Sequence, residues 1–210
     1  MKARASDRVL VLGDSGFGKS YHVKGLVNAL GSEKPIIVWD PTCEWAGSSA
    51  ERGLRGARVF HSVESLCTAL RTQTLSRIVL QCGVTAEEEF AKLCSLVFAA
   101  GDCVFVVDEA HNHCRAGQCP KAMLAIVRMS RHRRIDLFVI SQRPYTLAPD
   151  LRAQVNRTLL FHLSGESDTT WCDKERGRGM GERVYALKPR EWIDYPSMKT
   201  NAKPTQRLTR

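Results

Sequence analysis

The sequence predicts an α/β fold in which a mostly parallel sheet carries helices on both faces. Short apolar segments alternate along the chain with longer helical patterns, and this alternation is typical of parallel strands joined by helices. Such strands are covered on both faces, which accounts for their apolar composition. The length of 210 residues suits one domain of this kind with a substantial core.

The elements follow in order from the apolar pattern. Seven strands are predicted, at residues 8–12, 35–40, 58–60, 77–82, 103–108, 135–141 and 158–163. Five helices are predicted, at residues 19–30, 63–71, 86–99, 120–130 and 149–155. The first strand runs directly into a glycine-rich loop. Thr85 to Glu88 have the spacing of a capping box that would open the third helix.

The periodic signal fades after Leu163. Residues 164–182 are charged and contain several glycines, and residues 196–210 have the composition of a basic tail. We therefore predict a folded core at residues 1–163. A basic C-terminal extension at residues 164–210 would pack on this core or follow it.

The glycine-rich loop carries the most specific motif in the chain. Gly13-Asp14-Ser15-Gly16-Phe17-Gly18-Lys19-Ser20 matches G-x-x-x-x-G-K-[ST] at every defined position, between a predicted strand and a predicted helix. The glycines allow backbone N–H groups to point at phosphate oxygens, and Lys19 can reach the β- and γ-phosphates. All eight residues are predicted to bind a nucleoside triphosphate, ATP.

A second motif ends the strand at residues 103–108. Asp108 lies where P-loop proteins place a carboxylate for Mg²⁺, so Ser20 and Asp108 are the predicted metal ligands. Glu109 follows directly and is the predicted catalytic base that polarises an attacking water. This pair favours hydrolysis over nucleotide-kinase chemistry. The core is therefore predicted to be a P-loop ATPase of the RecA/ASCE-like class.

A third motif joins a basic run to a strand with a polar end. Arg131-His132-Arg133-Arg134 precedes the strand at residues 135–141, and Gln142-Arg143-Pro144 follows it. Gln142 would lie near the γ-phosphate and sense hydrolysis. The arrangement resembles the FtsK/HerA superfamily of ring-forming DNA pumps. The resemblance extends to Trp39-Asp40-Pro41 and Glu44-Trp45, and it spans residues 8–163.

Within that superfamily the chain is most similar to the genome-packaging ATPases of tailless icosahedral viruses with double-jelly-roll capsids. Those proteins carry little beyond the motor core. The resemblance implies that the Gln142 strand flanks the P-loop strand. It also implies a hexameric ring that pumps DNA into a preformed capsid. A capsid vertex protein is then an expected partner, and the expected location is the virion or the host cytoplasm.

The resemblance also implies an arginine finger that acts on the neighbouring subunit's ATP. Arg131 matches the family pattern best, with Arg134 and Arg143 as the other candidates. Such a finger adds positive charge where the transition state develops negative charge, and it makes hydrolysis depend on assembly. The alternative is that these arginines form a solvated or DNA-facing surface.

Composition favours a polyanionic partner. The formal net charge is +9, from 31 Lys and Arg against 22 Asp and Glu. The expected partner is double-stranded DNA. No base-reading motif is present, so we expect the DNA to be bound without sequence preference. The basic stretch includes Lys174, Arg176, Arg178, Arg183, Lys188 and Arg190. It would track phosphates or dock on a ring neighbour or capsid vertex.

No apolar run is as long as a membrane span, and the first residues lack a signal-peptide core, so no integral membrane segment is expected. The eight cysteines are expected to remain thiols. His111, His113, Cys114 and Cys119 could ligate zinc, but their spacing matches no common structural site, and an incidental cluster is favoured.

Three other functions stay open. A filamentous-phage assembly NTPase, similar to zonula occludens toxin, would share the same core but usually carries a membrane span. A small nucleotide kinase would need an arginine-rich lid over a second substrate and no Gln142. A structural subunit with a decayed site is disfavoured, because the expected catalytic residue types are all present. Asp108-Glu109-Ala110-His111 also spells a helicase signature, but those helicases need two such domains.

Overall fold

The computed structural model describes residues 7–31, 33–47, 53–197 and 199–200. The strands are β1 (Arg8–Leu12), β2 (Ile36–Trp39), β3 (Arg58–Phe60), β4 (Arg77–Leu80), β5 (Val104–Val107), β6 (Asp136–Ser141), β7 (Arg157–Leu160), β8 (Ile193–Tyr195) and β9 (Lys199–Thr200). The helices are α1 (Lys19–Asn28), α2 (Val63–Leu70), α3 (Glu87–Ala100), α4 (Lys121–Arg133), α5 (Pro149–Gln154), α6 (Glu166–Arg176) and α7 (Met180–Tyr185). The predicted basic tail lies outside the described residues from position 201 onward.

The strands form one sheet in the order β3-β4-β2-β5-β6-β1-β7-β8-β9. Strands β1 to β7 pair in parallel, whereas β8 and β9 add antiparallel pairs at one edge. The α/β prediction is therefore confirmed. The strand that precedes Gln142, β6, lies beside β1, as the family resemblance implied.

Helices cover both faces of the sheet. On one face, α1 packs through Val23 and Val27 against side chains of the central strands. On the other face, α2 to α7 contribute to a larger apolar cluster that includes Phe90, Ile126 and Trp171. Because all strands from β1 to β7 point the same way, their carboxyl ends meet at one edge, where α/β proteins bind ligands.

All seven predicted strands and all five predicted helices are present, with bounds that differ by a few residues. The predicted capping box is wrong. Helix α3 is capped by Ala86, and no side chain bonds to its first turn. Instead, three glutamates in the first turn provide negative charge near the positive end of the helix dipole.

The sequence pattern gave no sign of α6, α7, β8 or β9. In the structure, β8 pairs with β7, and Arg157 forms a bidentate ion pair with Asp194 across that pair at 2.9 and 3.0 Å. Trp171, Cys172 and Val184 of this region are buried in the core. Residues 164–197 and 199–200 thus extend the same sheet and core. No helix among the described residues is long and apolar enough to cross a membrane.

Candidate active site

The loop between β1 and α1 makes a close turn that only glycine allows at its start. A Cβ atom at Gly13 would lie 2.6 Å from the Cβ of Phe161, so the loop could not pass at this distance with a larger residue. Gly18 caps α1 with a φ of 95°, in the left-handed region that favours glycine. The N-terminus of α1 is thereby presented at the carboxyl edge of the sheet.

The same loop is anchored to the chain that follows β7. The Asp14 backbone N–H donates to the carbonyl of His162 at 2.7 Å. The Asp14 carboxylate accepts bonds from the N–H and the hydroxyl of Ser164, at 3.0 and 2.6 Å. Phe17 stacks on the His162 ring, with centroids 4.3 Å apart. These contacts hold the loop in shape from a segment 150 residues away in sequence.

Lys19 lies inside the loop with 6% of its surface exposed. Its Nζ donates to the backbone carbonyl of Asp14 at 2.9 Å. Burial lowers the pKa of Lys19, while Glu109 and Asp108 nearby raise it. The ammonium therefore lies in a partly desolvated position beside acidic groups, where an anionic ligand would be held strongly.

Asp108 and Ser20 meet at the start of the helix. The Ser20 hydroxyl lies 3.2 and 3.4 Å from the two carboxylate oxygens of Asp108. Burial raises the pKa of Asp108 to about 6, while hydrogen bonds from Trp45 and the Glu109 backbone lower it. Hydroxyl and carboxylate oxygens in this arrangement suit Mg²⁺, which takes few protein ligands and completes its shell with phosphates and water.

A tryptophan holds Asp108 in place. The Trp45 indole nitrogen donates to Asp108 Oδ2 at 2.6 Å, and Trp45 is fully buried. The loop that carries it is shaped by Asp40, whose carboxylate accepts from the backbone N–H groups of Glu44 and Trp45, each at 2.9 Å. The family resemblance includes Asp40, Glu44 and Trp45 but assigns none of these three residues a role.

Glu109 lies next to Gln142, a contact that the sequence analysis did not predict. Gln142 Nε2 lies 3.1 and 3.2 Å from the two carboxylate oxygens of Glu109. His111 Nδ1 lies 3.1 Å from Glu109 Oε2. Glu109 itself adopts a left-handed backbone conformation, with φ 46° and ψ 43°. Strained residues of this kind cluster at functional sites. His111 was not foreseen as a neighbour of the predicted base.

The candidate finger arginines lie in different places. Arg131 is exposed in the last turn of α4, which leads to the amino end of β6. This is the edge of the sheet opposite Lys19. Arg134 pairs with Asp102 at 3.1 Å, on the same side as Arg131. Arg143 is exposed directly after Gln142, on the side of its own subunit's site. Arg131 therefore does not join the site of its own chain.

A cavity of about 410 Å³ opens above the loop. The loop and the start of α1 form its floor, and its walls include Glu44, Glu109, Tyr21, Pro189 and Arg190. Its size suits a nucleotide-sized ligand. Pro189 and Arg190 belong to the C-terminal extension, where sequence reasoning placed Arg190 in a DNA-tracking stretch. The backbone at Arg190 is strained, with φ 69°, and no sequence pattern predicts this conformation.

No group of three or more His, Cys, Asp or Glu side chains is placed to hold a metal ion within the described part of the chain. His111, His113, Cys114 and Cys119 therefore do not assemble such a site. His113 is buried against Trp39 and Phe90 instead. All eight cysteines are free thiols.

No protein-family model and no curated protein matches the sequence. The structure, in contrast, is similar to solved structures along its whole length. B204, described as the DNA-packaging ATPase from Sulfolobus turreted icosahedral virus, matches with a TM-score of 0.73 and 21% identity. The match covers 95% of this chain and 98% of that one.

Two further structures are similar. The genome-packaging NTPase B204 from Sulfolobus turreted icosahedral virus 2, in complex with ATP-gammaS, has a TM-score of 0.70 and 20% identity. That match covers 93% of this chain and 95% of that one. EssC (ATPases 2 and 3) from Geobacillus thermodenitrificans has a TM-score of 0.55 and 12% identity, over 92% of this chain and 38% of that one. This chain therefore has the fold seen in the NTPase B204.

Proposed function

We propose that this protein is an ATP-hydrolysing DNA motor that packages a viral genome into a preformed capsid as a ring of subunits. One observation carries the proposal. The fold matches that of a DNA-packaging ATPase over 95% of this chain, and the chain's own P-loop, Asp108 and Glu109 meet at one edge of the sheet. A likeness of fold with a dissimilar site would not support it.

The loop and Lys19 bind the phosphates. Backbone N–H groups at the N-terminus of α1 supply partial positive charge, and phosphate oxygens would replace the Asp14 carbonyl that Lys19 contacts. In phosphoryl transfer, negative charge spreads over the γ-phosphoryl oxygens, so positive groups fixed there lower the barrier. Lys19 is such a group, and its burial strengthens the interaction.

Ser20 and Asp108 would hold Mg²⁺, because their oxygens lie side by side and Trp45 supports the ionised form of Asp108. When bound, Mg²⁺ would supply positive charge at the β- and γ-phosphate oxygens. The protein's own contribution is a buried, oriented carboxylate. Metal ligands oriented in this way bind more tightly than freely rotating ones.

Glu109 accepts the proton of the attacking water. Its carboxylate faces the cavity and is oriented by Gln142 and His111. A positioned base of this kind contributes roughly 10²–10⁴ in rate. Because Gln142 contacts Glu109 directly, loss of the γ-phosphate beside this pair would change the position of the chain after β6. Gln142 is thereby the sensor of hydrolysis.

Assembly completes the site. Arg131 is exposed at the opposite edge of the sheet from its own Lys19, so it can act only on a neighbour's nucleotide. A ring, with six subunits, provides one such neighbour for every site. Double-stranded DNA passes through the ring, which contacts only the DNA phosphates. A capsid vertex protein positions the ring. The motor works in the virion or the host cytoplasm.

Two measurements test this function. One is phosphate release with and without duplex DNA, and the other is the mass of the protein in solution with nucleotide. We expect DNA-stimulated release of phosphate from ATP by an oligomer. A nucleotide kinase would instead transfer phosphate to an acceptor nucleotide. A monomer whose ATP turnover ignores DNA under all conditions contradicts the motor.

A further inference from the structure

The nucleotide cavity has two chemically different ends. Glu109, the proposed base that activates the attacking water, lines one end. The other end is formed by Gly18, Tyr21 and Arg190. A nucleoside triphosphate is a linear molecule whose nucleoside lies opposite its γ-phosphate. If the γ-phosphate points at Glu109, the nucleoside lies at the end that Tyr21 and Arg190 form.

Arg190 is held at that end by several contacts. Its backbone N–H donates to the carbonyl of Phe17 at 3.0 Å. Its Cγ lies 3.3 Å from the position that a Cβ atom at Gly18 would occupy, so the side chain passes directly over the loop. Its φ of 69° is a strained conformation for arginine, which persists only where the surroundings fix it.

The guanidinium lies against an aromatic ring. Its central carbon lies 4.9 Å from the centroid of Tyr21, a residue of the first turn of α1 with 43% of its surface exposed. A guanidinium is planar, and it stacks on aromatic faces through both cation–π attraction and dispersion. An arginine that contacts an aromatic ring while it lines a cavity is suited to stack on a flat ligand in that cavity.

We propose that Arg190 binds the base of the nucleoside triphosphate by stacking, with Tyr21 as the positioning residue that holds the guanidinium plane. The inference rests on the proposed binding of a nucleoside triphosphate and adds which residues of the chain recognise the nucleoside. It also reassigns Arg190, since a residue that stacks on the base inside the nucleotide cavity is not part of a DNA-tracking surface.

Inorganic tripolyphosphate separates base binding from phosphate binding, because it carries the phosphate chain without a base. Affinities for ATP and tripolyphosphate are measured by calorimetry on the full chain. Arg190→Lys keeps the charge but removes the plane, and we expect ATP to bind roughly 10-fold more weakly with tripolyphosphate affinity unchanged. Tyr21→Ala should act in the same direction, and Tyr21→Phe should bind ATP like the wild type. Arg71→Ala, directly after α2, is the control.

Two results overturn the inference while nucleotide binding stands. Equal weakening of ATP and tripolyphosphate in Arg190→Lys would make Arg190 a phosphate ligand. If Arg190→Lys and Tyr21→Ala both bind ATP and tripolyphosphate with wild-type affinity, these two residues do not contribute to the site. A wild-type protein that binds neither ligand contradicts the proposed function itself, and the base site with it.

Discussion

At the scale of single residues, the buried Asp108 is supported by a residue from another loop. Trp45 donates a 2.6 Å hydrogen bond to the carboxylate, and Asp40 shapes the loop that presents Trp45. A hydrogen bond to the charged form favours ionisation and opposes the effect of burial on the pKa. If Asp108 holds Mg²⁺ as proposed, Trp45 would act on the metal through Asp108 without touching it.

Trp45→Phe should lower the affinity for Mg²⁺ while leaving the loop that carries residue 45 intact. We expect the Mg²⁺ concentration for half-maximal ATP turnover to rise by about 10-fold or more, because the partners that orient a ligand typically contribute this much to metal affinity. Trp39→Phe is the matched control, since Trp39 is equally buried and its indole nitrogen has no hydrogen-bond partner among the described residues. An unchanged Mg²⁺ dependence in Trp45→Phe would exclude this role.

Lys19→Ala and Glu109→Gln should fail in different ways. If Lys19 binds phosphate as proposed, it does so in both the ground state and the transition state, so its loss should reduce both nucleotide binding and turnover. Glu109 acts only when water attacks, so Glu109→Gln should bind ATP normally and turn it over roughly 10²–10⁴ times more slowly. Binding and phosphate release measured side by side check both. Near-normal turnover by Glu109→Gln would show that Glu109 is not the base.

At the scale of elements, α4 links the two edges of the sheet. It begins near the carboxyl edge after β5 and ends with Arg131, His132 and Arg133 at the amino edge. Arg133 is used inside the subunit, where it donates to the Phe98 carbonyl at 2.7 and 2.9 Å. Arg131 is left exposed at the end of the same helix, in a position to meet another subunit.

Arg131→Ala should bind ATP but hydrolyse it very slowly, since arginine fingers contribute roughly 10³–10⁵ in rate. Mixing Arg131→Ala with Glu109→Gln should restore part of the activity. In a mixed ring, a subunit with intact Glu109 can receive Arg131 from its neighbour. Arg128→Ala, on the same helix, is the control.

If both variants form rings and every mixture stays inactive, while wild-type subunits tolerate mixing, Arg131 is not the finger. Arg134 would then be tested in the same way. Arg143 would come next, although its position after Gln142 favours action on its own subunit's site.

The C-terminal extension is a structural part of the sheet as well as a source of charge. Trp171→Ala removes a side chain that is 94% buried, so we expect the free energy of unfolding to fall by about 3–5 kcal/mol. Tyr145→Ala is the control, because Tyr145 is 69% exposed and should change stability by less than about 0.5 kcal/mol. Denaturant unfolding measures both. Equal stabilities would mean that the extension folds apart from the core.

At the scale of the whole molecule, the excess positive charge should act on DNA. We expect binding to be insensitive to sequence, with log affinity falling with log salt by about 0.9 per phosphate contact on duplex DNA. Replacing the exposed Lys174, Arg178 and Arg183 with Gln should reduce this slope. The matched control replaces Arg71, Lys92 and Arg128. Equal slopes for the two triple variants would place the DNA contact elsewhere.

Truncation after Leu163 would not test the role of the extension in DNA binding. Truncation would remove β8, which pairs with β7, and would remove Trp171 and Val184 from the core. Loss of DNA binding in such a protein would reflect misfolding. Exchange of exposed side chains leaves the sheet unchanged.

The sequence by itself determined the parts of this protein that depend on short-range spacing. The P-loop motif, Asp108 at the end of an apolar strand, Glu109 beside it and the strand before Gln142 all lie within short segments, where apolar periodicity and motif spacing carry the information. The order of β1 and β6 in the sheet came from the family resemblance, because periodicity does not say which strands pair.

Only the tertiary structure decided what surrounds these motifs. The contact of Arg190 with Phe17 and the bond of Trp45 to Asp108 join segments far apart in sequence, and no local pattern encodes them. The elements after Leu163 were missed for a related reason. They are short and charged, with few apolar positions to set a period, and they are held in place by long-range contacts such as the pairing of β8 with β7 and the burial of Trp171.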